Sequence, residues 1–345
     1  MLKLSIVVPV YNVEKYIRPC IESIFKQGLD ETCFEVIIVN DGTKDRSIET
    51  ISDIIQNHNN ITIINQENQG LSVARNNGIS AAKGEYILMP DSDDLLVENS
   101  VRPLLEIAFE SQADLVVADF LKINDNIIES YKSISQKEFS FKEKTGEELF
   151  LEDLNPYECY VWRTFFKRDF LIKNNLTFVP GIFIQDVPFT HECYLKAKKC
   201  IKASWFLNIY RWGHDTAASS IFSIKKAKDF CIAIAKTWEL KELEGLSEKE
   251  QKKLREDVFI SFSKMICKTV HEIDNASERT EIIDFLKQQI PDLHFKNGKK
   301  QRIVSFLLKY LPHSYINLRY LYAVIIEDTV RPFYYHWLRR PMLKK

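Results

Sequence analysis

In the stretch Tyr86-Ile87-Leu88-Met89-Pro90-Asp91-Ser92-Asp93-Asp94 an apolar run passes directly into three carboxylates within four positions. Carboxylates this close repel one another unless a cation sits among them, and their hard oxygen atoms suit Mg²⁺ or Mn²⁺ rather than zinc. A strand that ends in such a cluster reads as a metal site. The competing reading is an acidic turn that caps the following helix, because Asp and Ser are favoured at N-caps. A calcium-binding EF-hand loop is excluded, since it needs Gly where Leu96 stands and Glu where Arg102 stands. The company the cluster keeps decides between the first two.

Upstream, Leu4 to Val10 is an apolar, β-branched run, the pattern of a strand buried on both faces of a parallel sheet. Val13, Ile17, Ile21, Ile24 and Phe25 then fall on one side of a helix. Phe34 to Val39 repeats the buried-strand pattern, and Ile48, Ile51, Ile54 and Ile55 mark a second helix face. Ile61 to Ile64 is a third strand, Ser72 to Ala82 a third helix, and Tyr86 to Met89 the fourth strand. This alternation predicts βαβ units around a parallel sheet whose ligands gather beyond the carboxyl ends of the strands. The polar residues there are Tyr11-Asn12, Asp41-Gly42, Asn68 with Gly70, and Asp91 to Asp94. The first turn, Pro9-Val10-Tyr11-Asn12-Val13-Glu14-Lys15, holds no glycine, which excludes a dinucleotide fingerprint, and no Walker A loop occurs. A nucleotide bound here has its phosphates held by metal and side chains, not by a glycine loop.

At 345 residues the chain exceeds the usual size of one domain. Its formal net charge of -1 argues against nucleic-acid binding through bulk electrostatics. The seven cysteines are scattered and form no C-x-x-C pair, as expected of reduced thiols in a cytoplasmic protein. The opening apolar run is short, contains Pro9 and leads to no small-residue cleavage site, so it reads as a strand and not a signal peptide. No stretch of about eighteen apolar residues predicts a spanning helix.

Val8-Pro9-Val10-Tyr11-Asn12, Val39-Asn40-Asp41-Gly42-Thr43-Lys44-Asp45, Asn68-Gln69-Gly70-Leu71-Ser72-Val73-Ala74-Arg75-Asn76 and Asp91-Ser92-Asp93-Asp94 resemble, in order and spacing, the family 2 glycosyltransferases. These are inverting enzymes of the GT-A fold, and the resemblance is to the type that builds bacterial cell-surface polysaccharides. Four ordered motifs over about ninety residues are far more specific than any one alone. Trp162 to Arg168 and Phe178 to Asp186 resemble the acceptor-side half of the same family, where an acidic pair follows an aromatic-Gly stretch. Here the pair is Gln185-Asp186, so only its second acid is present.

Leu115 to Ala118 reads as a fifth strand and Asn124-Asp125-Asn126 as the turn of a hairpin. The resemblance fades after about residue 220, and from Ser223 the texture changes to long helical patterns. Leu254, Val258, Phe262, Met265, Ile266 and Ile273 make one helix face, and Leu307, Leu308 and Leu311 continue the style. The charged run Glu248 to Lys253 reads as a solvated face. The expected organisation is a GT-A catalytic domain over 1–220, with a mainly parallel central sheet, and a helical region over 221–345.

The resemblance implies a nucleotide-diphosphate sugar donor, a UDP-sugar first among them, and a saccharide or lipid-linked saccharide acceptor whose hydroxyl displaces the nucleotide with inversion. It implies that Asp41 accepts a hydrogen bond from the base, that Tyr11 stacks on it and that Pro9 shapes the pocket. Arg75 reaches the phosphates or the carboxylate cluster, Asp93 contacts Mg²⁺ or Mn²⁺, and Asp91 stands beside it at the metal or the ribose. Asp186 takes the acceptor proton. Tyr210 to Asp215 resembles the family's closing loop, with Arg211 or His214 on phosphate or metal. Each has a plainer rival: an Asx turn for Asp41, a core edge for Tyr11, a surface salt bridge for Arg75, helix caps for Asp94 and Asp186, and a structural histidine for His214.

Two other functions compete. A sugar-phosphate nucleotidyltransferase needs a Gly-rich, Lys/Arg-containing loop after the first strand, which is missing. A non-catalytic nucleotide-sugar binder is opposed by the joint presence of Asp91, Asp93 and Asp186 and kept open by Gln185. The last fifteen residues, Arg331 to Lys345, combine five Lys/Arg with aromatic side chains and no acid. Such a segment suits either peripheral contact with an anionic bilayer at the inner face of the cell membrane or an arm packed on the catalytic domain.

Overall fold

The computed structural model describes residues 2–130, 134, 136, 138–213 and 222–321; His214 and the basic aromatic segment 331–345 lie outside the described residues. The chain divides into two compact units, Met1–Ser220 with Leu243–Gln251, and Ile221–Glu242 with Lys252–Lys345.

The first unit is built on one sheet. Its strands are β1 (Leu4–Val10), β2 (Phe34–Asn40), β3 (Ile61–Asn65), β4 (Tyr86–Leu88), β5 (Leu95–Leu96), β6 (Leu115–Asn124), β7 (Phe141–Lys144), β8 (Thr164–Lys167) and β9 (Cys200–Trp212). They lie in the order β3-β2-β1-β4-β8-β6-β9-β5, with β7 also on β9. The β3-β2-β1-β4 half is parallel, as is the long β6–β9 pair, whereas β8 runs antiparallel to β4 and β6, and β5 and β7 antiparallel to β9. The sheet is therefore mixed but mainly parallel. Helices α1 (Ile17–Phe25), α2 (Ser47–Thr50), α3 (Ser52–Asn57), α4 (Leu71–Ala81), α5 (Val101–Ser111), α6 (Gly146–Glu148), α7 (Arg168–Lys173) and α8 (Asp186–Lys196) join the strands. Every residue of β1 is buried, and its side chains share a core with Ile17, Ile21, Ile24, Val36, Leu88 and Leu104.

The hairpin expected at Asn124-Asp125-Asn126 does not form. The turn chemistry is present, since Asn124 Oδ1 accepts the Asn126 N–H at 3.0 Å, but the chain enters a 3-10 turn over Asp125–Ser130. β6 runs on to Asn124 and takes β9 as its parallel partner, and β7 pairs with β9. Local turn residues specify a bend; the thirteen-residue β9 decides who pairs with whom.

Pro9 stands inside a central strand, where a missing N–H ordinarily breaks the ladder. The Val10 carbonyl accepts the Asp41 N–H on the β2 side, so by alternation the Pro9 nitrogen faces the β4 side. β4 pairs with β1 only from Leu4 to Ile6 and has ended there, so no ladder bond is lost. Helix α4 crosses β1 closely at Gly78, where an added Cβ would stand 2.1 Å from Val7 Cγ1.

In the second unit, α9 (Ile224–Glu239) starts at Ser223, whose hydroxyl accepts the Lys226 N–H, and α11 (Ala276–Gln289) at Asn275, whose side chain accepts from Ser277 and Glu278. Between them in the chain runs α10 (Glu248–Glu272), whose residues from Lys252 on belong to this unit, and α12 (Gly298–Tyr310) follows. The predicted face Leu254, Val258, Phe262, Met265, Ile266 and Ile273 is buried throughout. Leu308 joins the core, while Leu311 does not. Glu250, read as part of a solvated face, is buried instead: it accepts the Ser247 N–H and returns its own N–H to the Ser247 hydroxyl, which starts α10. Among the described residues no helix is long and apolar enough to cross a membrane.

The α4–β1 crossing carries a test. Gly78→Ala should cost about 1–3 kcal/mol of stability by overpacking. In urea unfolding, the combined Gly78→Ala and Val7→Ala variant should lose less than the sum of the single losses, because the second change removes the methyl that the first one strikes. Additive losses would mean that the two positions are not in contact.

Candidate active site

The carboxyl ends of β1, β2 and β4 bring their loops to one edge of the sheet, on either side of the point where the strand order reverses. The turn after β1 is fastened to the turn after β2. The Asn12 N–H donates to Thr43 Oγ1 at 2.8 Å, Val13 N–H to Ser47 Oγ at 3.0 Å and Glu14 N–H to Asp45 Oδ2 at 2.9 Å, while Asn12 Oδ1 accepts from Lys44 N–H. Burial raises the Asp45 carboxyl, but hydrogen bonds from Ser47, Glu14 and Thr43 outweigh it and hold the group below the usual range. On this frame Tyr11 is 42% exposed, not a core edge, and Pro9 is buried.

Asp41 is buried and already engaged. Its carboxylate accepts the Gln66 side-chain amide at 2.7 Å and the backbone N–H groups of Gln69 at 2.8 Å and Gly70 at 2.9 Å. Gly70 is the N-cap of α4 and has no side chain, and Asp41, just past β2, fixes the approach to the helix by holding the two amides ahead of its first turn. Gly42 makes room for the same loop: at φ +65° it takes a left-handed conformation, and a Cβ there would lie 2.9 Å from the Asn68 nitrogen.

α4 carries Arg75, which is 2% exposed and ion-pairs with Asp91, its guanidinium carbon 5.4 Å from the Phe178 ring centre. The pair is therefore internal, not a surface bridge. One residue on, Asn76 clamps the acceptor-side stretch: its amide donates to the Phe178 carbonyl at 2.9 Å and accepts the Phe178 N–H at 2.8 Å.

Asp91, Asp93 and Asp94 present carboxylate oxygens that lie within 4.8 Å of one another. Asp94 does not cap α5, whose N-cap is Ser100. It is buried, accepts the Arg211 N–H at 2.7 Å on Oδ1, and its Oδ2 has no hydrogen-bond partner among the described residues. Arg211 braces the loop further, donating through Nε to the Asp93 carbonyl at 2.9 Å and through Nη1 to Asp125 at 2.7 Å. Withdrawal from solvent pushes the Asp91 carboxyl up to about 6; Arg75 opposes this, and the charges of Asp93 and Asp186 add to it. Asp94 is pushed well above the carboxylate range by burial and then by Asp93 and Asp91. The spacing, the hard donors and the orphaned Oδ2 fit an oxygen-loving divalent cation.

Asp186 is the first helical residue of α8, and Gln185 holds the cap position. Its charge acts on both Asp91 and Tyr160, so it stands at the same site as the acidic loop although it lies far along the chain. Gln185 is buried, and its Oε1 has no hydrogen-bond partner among the described residues. Beside these acids lies an aromatic wall. Trp162 stacks on Tyr160 at 4.7 Å and on Tyr210 at 5.9 Å, with the Phe120 edge at 5.0 Å, and Lys122 Nζ stands 5.6 Å from both the Tyr210 and Trp212 rings. Burial, then the charges of Asp94, Asp93 and Asp91, raise the Tyr210 hydroxyl, which marks the wall as a neighbour of the acidic loop.

Sequence reasoning left Asp94 as a helix cap and did not see the wall as a unit. Asp94 had a signal, the third carboxylate of the triplet; the wall had none, because β6, β9 and the segment before β8 meet only through the sheet order.

Residues 5–173 match the family model for Glycosyl transferase family 2. The uncharacterized glycosyltransferase EpsJ of Bacillus subtilis is 35% identical over 215 residues, which are 60% of this chain and 60% of that protein. Glycosyltransferase GlyG of Streptococcus pneumoniae is 29% identical over 238 residues, 68% of this chain and 78% of that protein. The chain thus spans less than two thirds of EpsJ. Among solved structures, residues 1–349 of Staphylococcus aureus TarS in complex with UDP-GlcNAc superimpose with a TM-score of 0.72 at 21% identity, covering 96% of this chain and 93% of that one. That likeness shows the fold, the GT-A arrangement of a mixed, mainly parallel sheet. The matched segment contains all four strand-end motifs, and it carries the chain's likeness to glycosyl transferase family 2.

Proposed function

We propose that the chain transfers a sugar from a UDP-sugar to a hydroxyl of a saccharide or lipid-linked saccharide acceptor, with inversion, in the synthesis of a surface polysaccharide. The observation that carries this reading is the convergence of the triple-carboxylate loop after β4 with the stretch leading to Asp186 of α8: Arg75, ion-paired with Asp91, has its guanidinium carbon 5.4 Å from the Phe178 ring centre, and the charge of Asp186 helps raise the Asp91 carboxyl. TarS, seen with UDP-GlcNAc, supports the choice of donor. The scattered spacing of the seven cysteines, which suits reduced thiols, supports a site of action on the cytoplasmic side.

In this reading Tyr11 covers one face of the base, and Asp41, three of whose acceptor positions are filled, has room to accept one further N–H from it. Asp93 and Asp94 hold the divalent ion with Asp91 beside them, and Arg75 fixes Asp91. When bound, the ion supplies positive charge for the diphosphate leaving group. Asp186 accepts the proton of the acceptor hydroxyl as that oxygen bonds to the anomeric carbon; the bond to the diphosphate breaks on the opposite face, and its electron pair leaves with the nucleotide. Tyr160 and Tyr210, stacked on Trp162, offer the acceptor ring an apolar floor.

Three outcomes test this. Asp186→Asn keeps size but takes no proton, so transfer should fall by roughly 10²- to 10⁴-fold with donor affinity little changed. Retained turnover would remove Asp186 from the reaction. In calorimetry with UDP, Asp93→Ala should abolish the part of the affinity that depends on Mn²⁺, and equal affinity in the variant would overturn that assignment. Asp91 provides the pH test. Its folded pKa lies above the unfolded value of about 3.9, so the folded state holds the extra proton between about 4 and 6, and stability from this group is lost as pH rises through that window. Without divalent ions, the melting temperature of the wild type should therefore fall more between pH 5 and pH 7 than that of Asp91→Asn.

A further inference from the structure

Away from the site, α12 is apolar on two opposite sides. Val304 and Leu308 face the core of the second unit, and the Ser305 hydroxyl between them exchanges hydrogen bonds with the backbone of Phe295. On the opposite side Ile303, Phe306 and Tyr310 fall at i, i+3 and i+7 and are 57–59% exposed. Leu311, Leu318 and Leu321 continue the exposure, the last two on a helical run over 312–321. These six account for nearly half of the thirteen large apolar side chains exposed among the described residues, gathered within 303–321. Single exposed apolar residues need no explanation; a contiguous stripe does.

The charges beside the stripe have one sign. From Leu293 to Leu321 the sequence contains no Asp or Glu. By helical geometry Lys300 flanks the stripe on one side, Arg302 and Lys309 on the other, and Lys299 extends it by one turn. Phe306 and Tyr310 rings lie 4.9 Å apart, and Lys309 Nζ stands 5.0 Å from the Tyr310 ring. The acids that reach this segment come from elsewhere, Asp284 of α11 at His313 and Glu256 of α10 at Asn297.

We propose that this outer face of α12, with the run that follows it, docks on the surface of a bilayer rich in anionic lipid. The apolar side chains enter the level of the acyl boundary while the flanking cations meet the headgroups, the arrangement of an interfacial helix that lies in the membrane plane. Charge complementarity selects this partner: a protein surface accepting so apolar a stripe would need a matching groove ringed with acids, whereas an anionic bilayer provides both properties over any area.

The test uses the full chain and vesicles of phosphatidylglycerol with phosphatidylcholine, read by co-sedimentation. Binding should be strong at low salt, weak at high salt and absent on pure phosphatidylcholine. Removing one cation should weaken partition about fivefold, so K299Q with R302Q should cost more than about tenfold. I303E with F306E should abolish binding, with melting temperature and transfer to a soluble acceptor unchanged because both side chains are exposed. Full-length protein that stays in the supernatant overturns the proposal, as does equal sedimentation of the variants, which would put the contact elsewhere, for example at 331–345. A drop of several degrees in the I303E/F306E melting temperature, or a wild-type dimer that this variant converts to monomer, would instead show the face covered by protein.

Discussion

Like-charge repulsion in the loop after β4 is the constraint around which the first unit is arranged. Three carboxylates at the end of a three-residue strand are tolerable only if positive charge is brought to them. The fold brings two guanidinium groups, Arg75 from α4 and Arg211 from β9, both buried. Arg75 pairs with a carboxylate. Arg211 spends its donors on the loop's backbone and on Asp125, and so fixes the loop's shape more than its charge. Burial first, and then the charges of the neighbouring acids, drives Asp91 and Asp94 toward protonation. Removing Arg75 alone would leave the half-buried Asp91 without the cation it pairs with.

Much of this was legible in the sequence because it depends on local periodicity. The buried-strand runs and the one-sided helices between them give β1 to β4 and their order along the chain, and strand-end polarity places Asp41 and Asp91 to Asp94 on one edge. What stayed hidden depends on partners remote in sequence. Nothing near Arg211 reveals that its side chain will meet Asp93 and Asp125, and nothing near Asn76 reveals the Phe178 backbone 102 residues on. The hairpin at Asn124 failed for the same reason: turn chemistry was read correctly, but pairing belongs to the longer β9.

The two units also differ in how sequence reports on them. Along α10 and the residue after it a single apolar stripe predicts burial, and all six predicted positions are inside. In α12 apolar residues fall on two sides, and only coordinates separate Val304 and Leu308, which pack, from Ile303, Phe306 and Tyr310, which do not.

The start of α4 has a consequence for how the fold can treat an anion. In glycine-loop folds the first amides of such a helix are vacant and greet a phosphate directly. Here the amides of Gln69 and Gly70 are already committed to Asp41. A carboxylate of the chain thus holds the amides that lead into this helix, a place that a ligand's phosphoryl oxygen can take elsewhere. In the proposed reaction, recognition of the heterocycle and of the diphosphate are thereby separate devices, one built into the backbone frame of β2 and α4, the other imported with the ion. Chelation should then silence the second while leaving a bare nucleoside bound as before.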